Sequence, residues 1–414
     1  MTASTTGGGR APAGYRPALL RCAGAATDGF AEDHWGRRPL LCAADKAAFQ
    51  DLFSLDAVDE LVSRRGLRTP FIRVVKDGSA IEPARYTRSG GAGAEIADQV
   101  AADKLLALVL DGATIVLQGL HRVWPPLTAF ADQLAEDLGH PVQVNAYITP
   151  PQSQGFSAHY DVHDVFVLQI AGRKRWLVHE PVHPLPLRTQ QWKAGRADVD
   201  QAVEGPPTID TVLRPGDAMY LPRGYLHSAV ALGDVCAHLT VGVPAVTRYA
   251  IVEALCALAA DEPALRESLP LGFDAGDPAA LANDLAETVR VLVKRIEAAT
   301  PDDVVAGVRD RVWSAGRAAP IAPLAQAAAV ARLDGDSVVR LRRHLRHRLR
   351  VAGDRIVLEL PDRTLSLPAA IRPALETLLA DEPVRVADLP AMEAGENLVL
   401  VRRLLREAVV VPAG

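Results

Sequence analysis

Two histidines and one aspartate are the residues whose types and spacing best suit chemistry. His159 and Asp161 stand two positions apart, and His227 ends the run GDAMYLPRGYLH, in which glycine and proline predict turns between strands. If the segment around His159 is a strand, alternate side chains share a face, so the imidazole and the carboxylate project together. Two histidines and a carboxylate on one face of a metal ion form the facial triad of non-haem Fe(II) oxygenases. An HxD pair alone is common by chance, and its combination with the second run favours a metal centre over a structural role.

Lys174 is the next candidate, on the strand predicted to follow the apolar run VFVLQIAG. If the metal chelates a 2-oxo acid, the distal carboxylate of that acid lies deep in the protein and needs a cation, because an unpaired buried charge is costly. Lys174 could supply that cation. The alternative is a surface lysine in a turn, beside Arg173 and Arg175. We expect His163 to form a pocket wall rather than to bind the metal.

Short β-rich runs surround these residues and predict an antiparallel barrel or jelly roll. The runs are VQVNAYITP, FSAHYDVHDVFVLQIAG, KRWLVHE, TIDTVLRPGDAMYLP and CAHLTVGVP. Before them, apolar spacing predicts helices over 44–65, 97–111 and 126–138, with a strand at ATIVLQGL and a C-cap at Gly139. The fold class is therefore mixed α+β.

After Pro244 the strand signals fade. Helices are predicted over 246–265 and 277–299, a linker or short helix over 316–330, a basic helix over Val338–Leu349, a hairpin at RIVLEL and LSL, and helical stretches over 368–380 and 396–407. Helices with a small hairpin are the pattern of a winged-helix module. The predicted domains are a disordered tail at 1–19 (Gly-rich over 1–14), a catalytic domain at 20–245, a helical region at 246–315 and a winged-helix-like domain at 316–414.

The overall composition limits the function classes. A net charge of −5 argues against a dedicated nucleic-acid binder, although the basic run 340–350 could contact RNA or form a solvated face. The four cysteines form no CxxC pair, which favours reduced thiols over a zinc site. No signal peptide or membrane-length apolar run is evident, so we expect a soluble cytoplasmic protein without a membrane partner.

Three runs resemble the JmjC-type ribosomal oxygenases, also called the cupin-4 family. They are NAYITPPQSQGFSAHYDVHDVFVLQIAGRKRWLV, RPGDAMYLPRGYLHSA and AHLTVG, and FAEDHWGRRPLL is similar to the family's entry motif. The resemblance covers most of 20–245; the later regions follow the family's order by architecture alone. It implies a double-stranded β-helix (jelly-roll, cupin) barrel in which His159, Asp161 and His227 bind Fe(II) and Lys174 grips the distal carboxylate of 2-oxoglutarate. Tyr147 and Asn145 match pocket residues that assist co-substrate binding, although buried polar residues on a strand often only satisfy hydrogen bonds.

The resemblance implies an enzyme that hydroxylates an Arg or His side chain of a ribosomal protein, with 2-oxoglutarate and O2 as co-substrates. Two alternatives stay open: the same chemistry on a peptide or small biosynthetic molecule, and a metal-binding cupin with a winged helix that regulates without turnover. The family also dimerises through helices at 246–315. That segment carries apolar stripes, namely Ile251, Leu255, Leu258, Leu285, Val289, Leu292 and Ile296. We expect these stripes to form a homodimer contact, with packing on the chain's own catalytic domain as the alternative.

Overall fold

The computed structural model describes residues 15–43, 48–93, 95–390 and 394–413. The Gly-rich stretch 1–14, predicted to be disordered, lies outside the described residues. The chain forms two compact units, Met1–Ala245 and Val246–Gly414. The predicted tail at 1–19 is too long, because a helix begins at Pro17 and already buries Ala18 and Leu19. Proline at a first helical position favours this start.

The first unit combines short helices with a large antiparallel sheet. Its helices are α1 (Pro17–Ala23), α2 (Phe30–Asp33), α3 (Leu55–Arg64), α4 (Ala102–Leu110), α5 (Pro125–Leu138) and α6 (Arg196–Ala202). Its strands are β1 (Leu40–Cys42), β2 (Ile72–Lys76), β3 (Ser79–Ala80), β4 (Thr87–Arg88), β5 (Gln99–Val100), β6 (Thr114–Leu117), β7 (Gln143–Thr149), β8 (Asp164–His179), β9 (Ile209–Leu213), β10 (Ala218–Leu221) and β11 (Leu226–Val243). The prediction of a mixed class that combines helices with an antiparallel sheet (α+β) is confirmed.

Nine of these strands pair in one sheet within the described residues, in the order β1-β10-β8-β11-β7-β6-β2-β3, with β9 added to β8. One face of the sheet carries Phe166 and Leu239, which join a large core with apolar residues of α1, α3, α4 and α5. The other face carries a smaller apolar cluster that includes Val167 and Trp176. The polar site described below lies on this second face, which we call the interior face.

The long strands β8 and β11 share an irregularity that changes which residues face the interior. Their register shifts between Leu232 and Ala237 on β11, opposite Gly172 on β8. Gly172 has φ +63°, and a Cβ there would lie 2.5 Å from the Val235 carbonyl oxygen. Glycine is required because both the left-handed backbone and this close approach exclude a side chain. As a result, His227 and His238 both face the interior although they are 11 positions apart, an odd spacing that would put them on opposite faces of a regular strand.

The predicted helices of this unit have the right positions but not always the right length. The prediction over 126–138 is confirmed, with Gly139 as a left-handed C-cap. The helix predicted over 44–65 begins only at Leu55, because the Ser54 side chain accepts a hydrogen bond from the Ala57 N–H and caps it; residues 44–47 lie outside the described residues. The helix predicted from 97 begins at Ala102, because β5 pairs with β4 first.

The second unit begins with helices and ends with two small sheets. Its helices are α7 (Arg248–Leu258), α8 (Pro278–Glu297), α9 (Pro301–Ala315), α10 (Pro323–Arg332), α11 (Arg372–Leu378) and α12 (Ala394–Arg406). Its strands are β12 (Val338–Leu341), β13 (Arg348–Ala352), β14 (Arg355–Glu359), β15 (Thr364–Pro368), β16 (Val384–Arg385) and β17 (Val410–Pro412), paired as β16-β12-β17 and β13-β14-β15.

The basic helix predicted over Val338–Leu349 is wrong. The segment forms β12, a loop and the start of β13 instead, because Val339 and Leu341 alternate into the core while β12 pairs with two distant strands. The hairpin predicted at RIVLEL and LSL is confirmed as β14 and β15. Helix α9 falls in the predicted helical region 246–315, although its own bounds were not predicted, and it begins with a capping box of Thr300 and Asp303. No helix within the described residues is long and apolar enough to cross a membrane.

Candidate metal centre

The structure brings His159, Asp161 and His227 together. One potential ligand atom from each residue lies within 4.8 Å of the other two, and His227 Nε2 is 3.8 Å from Asp161 Oδ2. Within the described residues no other group of three such side chains could hold a metal ion. The predicted metal triad is therefore assembled as one cluster on the interior face.

The local backbone differs from the predicted strand at 159–161. These residues lie in a loop that makes a single antiparallel bridge, between His159 and His227. The His227 N–H donates to the His159 carbonyl at 2.8 Å, the His159 N–H donates back at 3.2 Å, and the Gly224 N–H donates to the Asp161 carbonyl at 3.0 Å. These bonds attach the loop to the start of β11, so backbone pairing sets the convergence of the side chains.

Both histidines have a defined donor nitrogen. His159 Nδ1 lies 2.8 Å from the Ser157 carbonyl, and His227 Nδ1 lies 3.1 Å from the Tyr225 carbonyl. A ring nitrogen next to a carbonyl oxygen must carry the proton, which leaves Nε2 with a free lone pair. This orientation by a backbone carbonyl is usual for metal-binding histidines.

The protonation states also suit a metal ion. Burial and the neighbouring His159 lower the pKa of His227 to about 4, so its imidazole is neutral at neutral pH. Burial disfavours the charged form of Asp161, but His163, His227 and His159 together hold the pKa of this carboxyl below its usual value. Two imidazoles and one carboxylate are the donor set of a non-haem iron site. His163 lies near this set without belonging to the cluster.

Lys174 lies on the interior face of β8, opposite Ala231 on β11 and Leu213 on β9. Its side chain is buried, and its Nζ donates a hydrogen bond to Thr149 Oγ1 at 3.2 Å. No carboxylate of the described residues forms an ion pair with it. Burial lowers the pKa of Lys174 to about 8. The surface-turn alternative is wrong, and a buried ammonium group without an anion predicts an anionic ligand.

Tyr147 and Asn145 occupy the same face of β7 as Thr149, as their alternation requires. The Tyr147 ring stacks on His238, with centroids 5.1 Å apart, and its pKa is raised by burial, so it remains a neutral phenol. Asn145 Oδ1 accepts a hydrogen bond from the Gly119 N–H at 3.0 Å. Tyr147 therefore lines the pocket, whereas this bond gives Asn145 a role in holding the backbone.

The sequence prediction missed several residues of the pocket wall. Trp176 packs edge-on to His238, with centroids 5.3 Å apart, and both side chains are buried. Arg73 on β2 lies in line with Tyr147 through Val116, and its guanidinium carbon is 5.4 Å from the Phe156 ring centre. The buried Arg73 Nε has no hydrogen-bond partner. The signal that could have identified Arg73 is the alternation within FIRVVK, which puts Arg73 on the other face of the strand from Ile72 and Val74.

The entry motif FAEDHWGRRPLL has a structural role beside the site. Its Trp35 stacks on Tyr220, with centroids 6.2 Å apart, and its Gly36 N–H donates to the Tyr220 hydroxyl at 2.8 Å. Tyr220 in turn donates to Asp164, which also pairs with Arg223. This buried network supports the turn that leads to His227, and it occupies the Asp164 carboxylate.

Comparison with known proteins points to one group. Residues 122–251 match the JmjC domain family. The chain is 30% identical over 265 residues to the bifunctional lysine-specific demethylase and histidyl-hydroxylase NO66 of Drosophila persimilis, covering 58% of this chain and 34% of that protein. It is 30% identical over 300 residues to human ribosomal oxygenase 1, covering 68% of this chain and 45% of that protein. The chain thus spans less than half the length of these relatives.

The fold is also shared with a solved structure. The structure of YcfD, a ribosomal oxygenase from Escherichia coli in complex with cobalt and succinic acid, matches with a TM-score of 0.52 at 18% identity and covers 94% of this chain and 98% of that one. A second crystal structure of the same bacterial protein matches with a TM-score of 0.51. The resemblance to JmjC-type ribosomal oxygenases noted from the sequence is confirmed.

Proposed function

We propose that this chain, whose residues 122–251 form a JmjC domain, is an Fe(II)- and 2-oxoglutarate-dependent oxygenase that hydroxylates an Arg or His side chain of a ribosomal protein. One observation carries the proposal: the cluster of His159, Asp161 and His227 shares the interior face with the buried, unpaired ammonium group of Lys174. A metal site alone fits many functions. A metal site beside a buried cation fits a metal-chelating co-substrate that ends in a carboxylate.

The similar proteins support both parts of this proposal. The curated relatives are named as a histidyl-hydroxylase and a ribosomal oxygenase, and the solved bacterial structure holds cobalt and succinic acid. Succinate is the product that 2-oxoglutarate becomes after oxidative decarboxylation. Whether the target residue is Arg or His is not distinguished by these relatives.

Each residue has a defined task in this scheme. His159 and His227 would hold iron through Nε2 and Asp161 through its carboxylate, while Lys174, fixed by Thr149, would bind the distal carboxylate of 2-oxoglutarate. Bound iron would supply the oxidative decarboxylation of 2-oxoglutarate coupled to hydroxylation of a C–H bond. The neutral Tyr147 phenol can donate a hydrogen bond into the pocket. The Trp176 ring lies 5.8 Å from Lys174 Nζ and 6.1 Å from the His227 ring, and with His238 it lies between Lys174 and the triad.

A direct test supplies purified protein with Fe(II), ascorbate, 2-oxoglutarate and a mixture of ribosomal proteins. We expect succinate release together with a +16 Da change on a His- or Arg-containing peptide, measured by mass spectrometry. The matched controls are His227→Ala protein and a reaction without 2-oxoglutarate. If wild-type protein with bound iron releases no succinate and modifies no ribosomal peptide, the proposal is wrong.

Two alternatives predict different results in the same experiment. An oxygenase for another peptide or a small biosynthetic molecule would turn over 2-oxoglutarate slowly without modifying any ribosomal protein. A regulator would bind metal without any release of succinate. The unpaired Lys174 favours the two enzymatic functions, because metal binding alone does not require a buried cation.

The second unit supports an assembly that belongs to the same proposal. Helices α7 and α8 leave apolar side chains exposed in the single chain, among them Tyr249, Ile251, Val252, Leu285, Val289 and Val293. We propose that residues 246–315 form a homodimer contact that covers them, and that 20–245 and 316–414 are the catalytic and winged-helix-like domains. Helices α10, α11 and α12 with the β13–β15 sheet support the last assignment. The cytoplasmic location stays a prediction.

A further inference from the structure

A strongly basic segment of the second unit has no role in the site described above. Residues 338–350 contain six arginines and no aspartate or glutamate, whereas the whole chain has a net charge of −5. Such a segment in an acidic chain is either a solvated face or a surface for an anionic partner. The ion pairs of each arginine distinguish these possibilities.

Two of the six arginines serve the fold. Arg342 Nε donates a hydrogen bond to the Ala319 carbonyl at 2.6 Å, and Arg340 pairs with Asp381 at 3.4 Å. The remaining four are Arg343, Arg346, Arg348 and Arg350, which we call the basic edge. All four are exposed. The first three form no ion pair with any residue that the structure describes.

The fourth arginine, Arg350, pairs with Glu359, whose charge is already neutralised by Arg309. Arg350 reaches Glu359 at 3.5 Å, but Glu359 also pairs with Arg309 at 2.8 Å. Glu359 lies opposite Arg348 in the sheet register, and its side chain is only 17% exposed. Its single charge is therefore shared between two arginines and cannot neutralise the basic edge.

The backbone presents these arginines in a row. Among the residues that the structure describes, strand β13 pairs only with β14, which leaves its outer edge open. Arg348 and Arg350 project from one face about 6.7 Å apart, the distance that two residues span in a strand. Arg343 and Arg346 precede them in the loop after β12. Through its register with Ala352, Arg355 adds a further exposed guanidinium to the same face of the sheet.

We propose that the basic edge binds the phosphate backbone of RNA. Guanidinium groups bind phosphate oxygens through paired hydrogen bonds, and a group of them whose one counter-charge, Glu359, is shared with Arg309 loses little when phosphates replace water. Residues 338–368 contain no Phe, Tyr or Trp, and their aromatic rings are the two small imidazoles of His344 and His347, so the segment offers bases little stacking surface. Contacts to phosphate alone give binding that is independent of base sequence. The choice of RNA rests on the proposed function, because a ribosomal protein is presented together with ribosomal RNA.

The test uses the full chain and a fluorescently labelled single-stranded RNA of about 20 nucleotides, with anisotropy measured between 50 and 200 mM salt. Four phosphate contacts predict a slope of about −2.8 for log K against log salt concentration. The variant Arg343→Glu/Arg346→Glu/Arg348→Glu should bind at least tenfold more weakly, with a slope closer to zero than −1. The matched control is Arg332→Glu/Arg402→Glu/Arg406→Glu, which makes the same charge change on α10 and α12 and should bind like the wild type.

Several results would overturn the proposal. Equal loss in the control variant would show a general charge effect, and displacement of RNA by an equal charge of polyglutamate would indicate an acidic protein partner. Tighter binding of a DNA strand of the same sequence would reject RNA as the source of the phosphates. A glutamine version of the basic-edge variant, checked by its melting temperature, guards against misfolding. Because no iron or 2-oxoglutarate is added, this experiment can fail while the proposed oxygenase function stands, and the reverse.

Discussion

Replacing Lys174 with methionine should stabilise the ligand-free protein while it destroys co-substrate binding. Methionine keeps a long unbranched side chain but removes the charge. Lys174 is 4% exposed, and its Nζ makes one hydrogen bond, to Thr149. Wild-type protein without 2-oxoglutarate therefore carries a buried charge that no anion compensates.

The size of both effects follows from the structure. Burial lowers the pKa of Lys174 from 10.5 to about 8. At about 1.4 kcal/mol for each pKa unit, the charged side chain costs the folded state roughly 3 kcal/mol at neutral pH. Because the folded-state pKa lies below the unfolded one, this cost is fully present below pH 8 and disappears as pH rises from 8 to 10.5. Loss of the cation should in turn weaken 2-oxoglutarate binding by about 3–5 kcal/mol, which is more than a hundredfold.

Urea unfolding of metal-free protein at pH 7 and pH 10, and calorimetric titration of the Mn(II)-loaded protein with 2-oxoglutarate, would measure these effects. We expect Lys174→Met to raise the free energy of unfolding by about 1–3 kcal/mol at pH 7 and by much less at pH 10. Lys174→Arg should keep most of the binding, and Lys193→Met, an exposed control, should change neither quantity. A Lys174→Met protein that is less stable than wild type at pH 7 and still binds 2-oxoglutarate normally would refute the reasoning.

Three further predictions concern other parts of the molecule. Asp161→Ala should lower Co(II) affinity at least tenfold and reduce succinate release to background, and near wild-type turnover with metal bound would contradict the assigned triad. Arg73→Gln should raise the KM for the peptide substrate about tenfold and leave the KM for 2-oxoglutarate unchanged, because the Arg73 guanidinium lies beside Phe156 and Tyr147 in the pocket wall; the opposite pattern would assign Arg73 to the co-substrate. Leu285→Asp/Val289→Asp should give a mass near 44.2 kDa by light scattering where the wild type gives twice that value, and a monomeric wild type would reject the dimer.

The sequence predicted the site better than it predicted the local backbone. Lys174 could be assigned from the family resemblance but not from strand alternation, because the irregularity beside Gly172 reverses the alternation that begins at Val165 and Val167. The turn residues before His227 marked the end of a strand. The strand predicted at His159 was wrong because one bridge to His227, far away in the chain, replaces a ladder of local pairs. Long-range pairing of this kind leaves no periodic signal in the sequence.

The basic segment 338–350 was predicted to be a helix, but it forms strand β12, a loop and the start of β13. Leu341, Leu345 and Leu349 recur every four residues, which is helical spacing, and the arginines between them conceal the shorter alternation of Val339 and Leu341. Pairing of β12 with β16 and β17 decides the outcome, and those partners lie about 45 and 70 residues further along the chain. Tertiary pairing therefore overrides a local preference that the sequence alone could not correct.

The register shift beside Gly172 also limits how this protein can evolve in length. Removing one residue between Leu232 and Ala237 would turn His238 and Thr240 toward the outer core, while His227 kept its place. A descendant with that deletion would retain its metal ligands and lose the wall of its pocket. Insertions should therefore accumulate in the long connection between β8 and β9, which pairs with no strand of the described residues, rather than between Leu232 and Ala237.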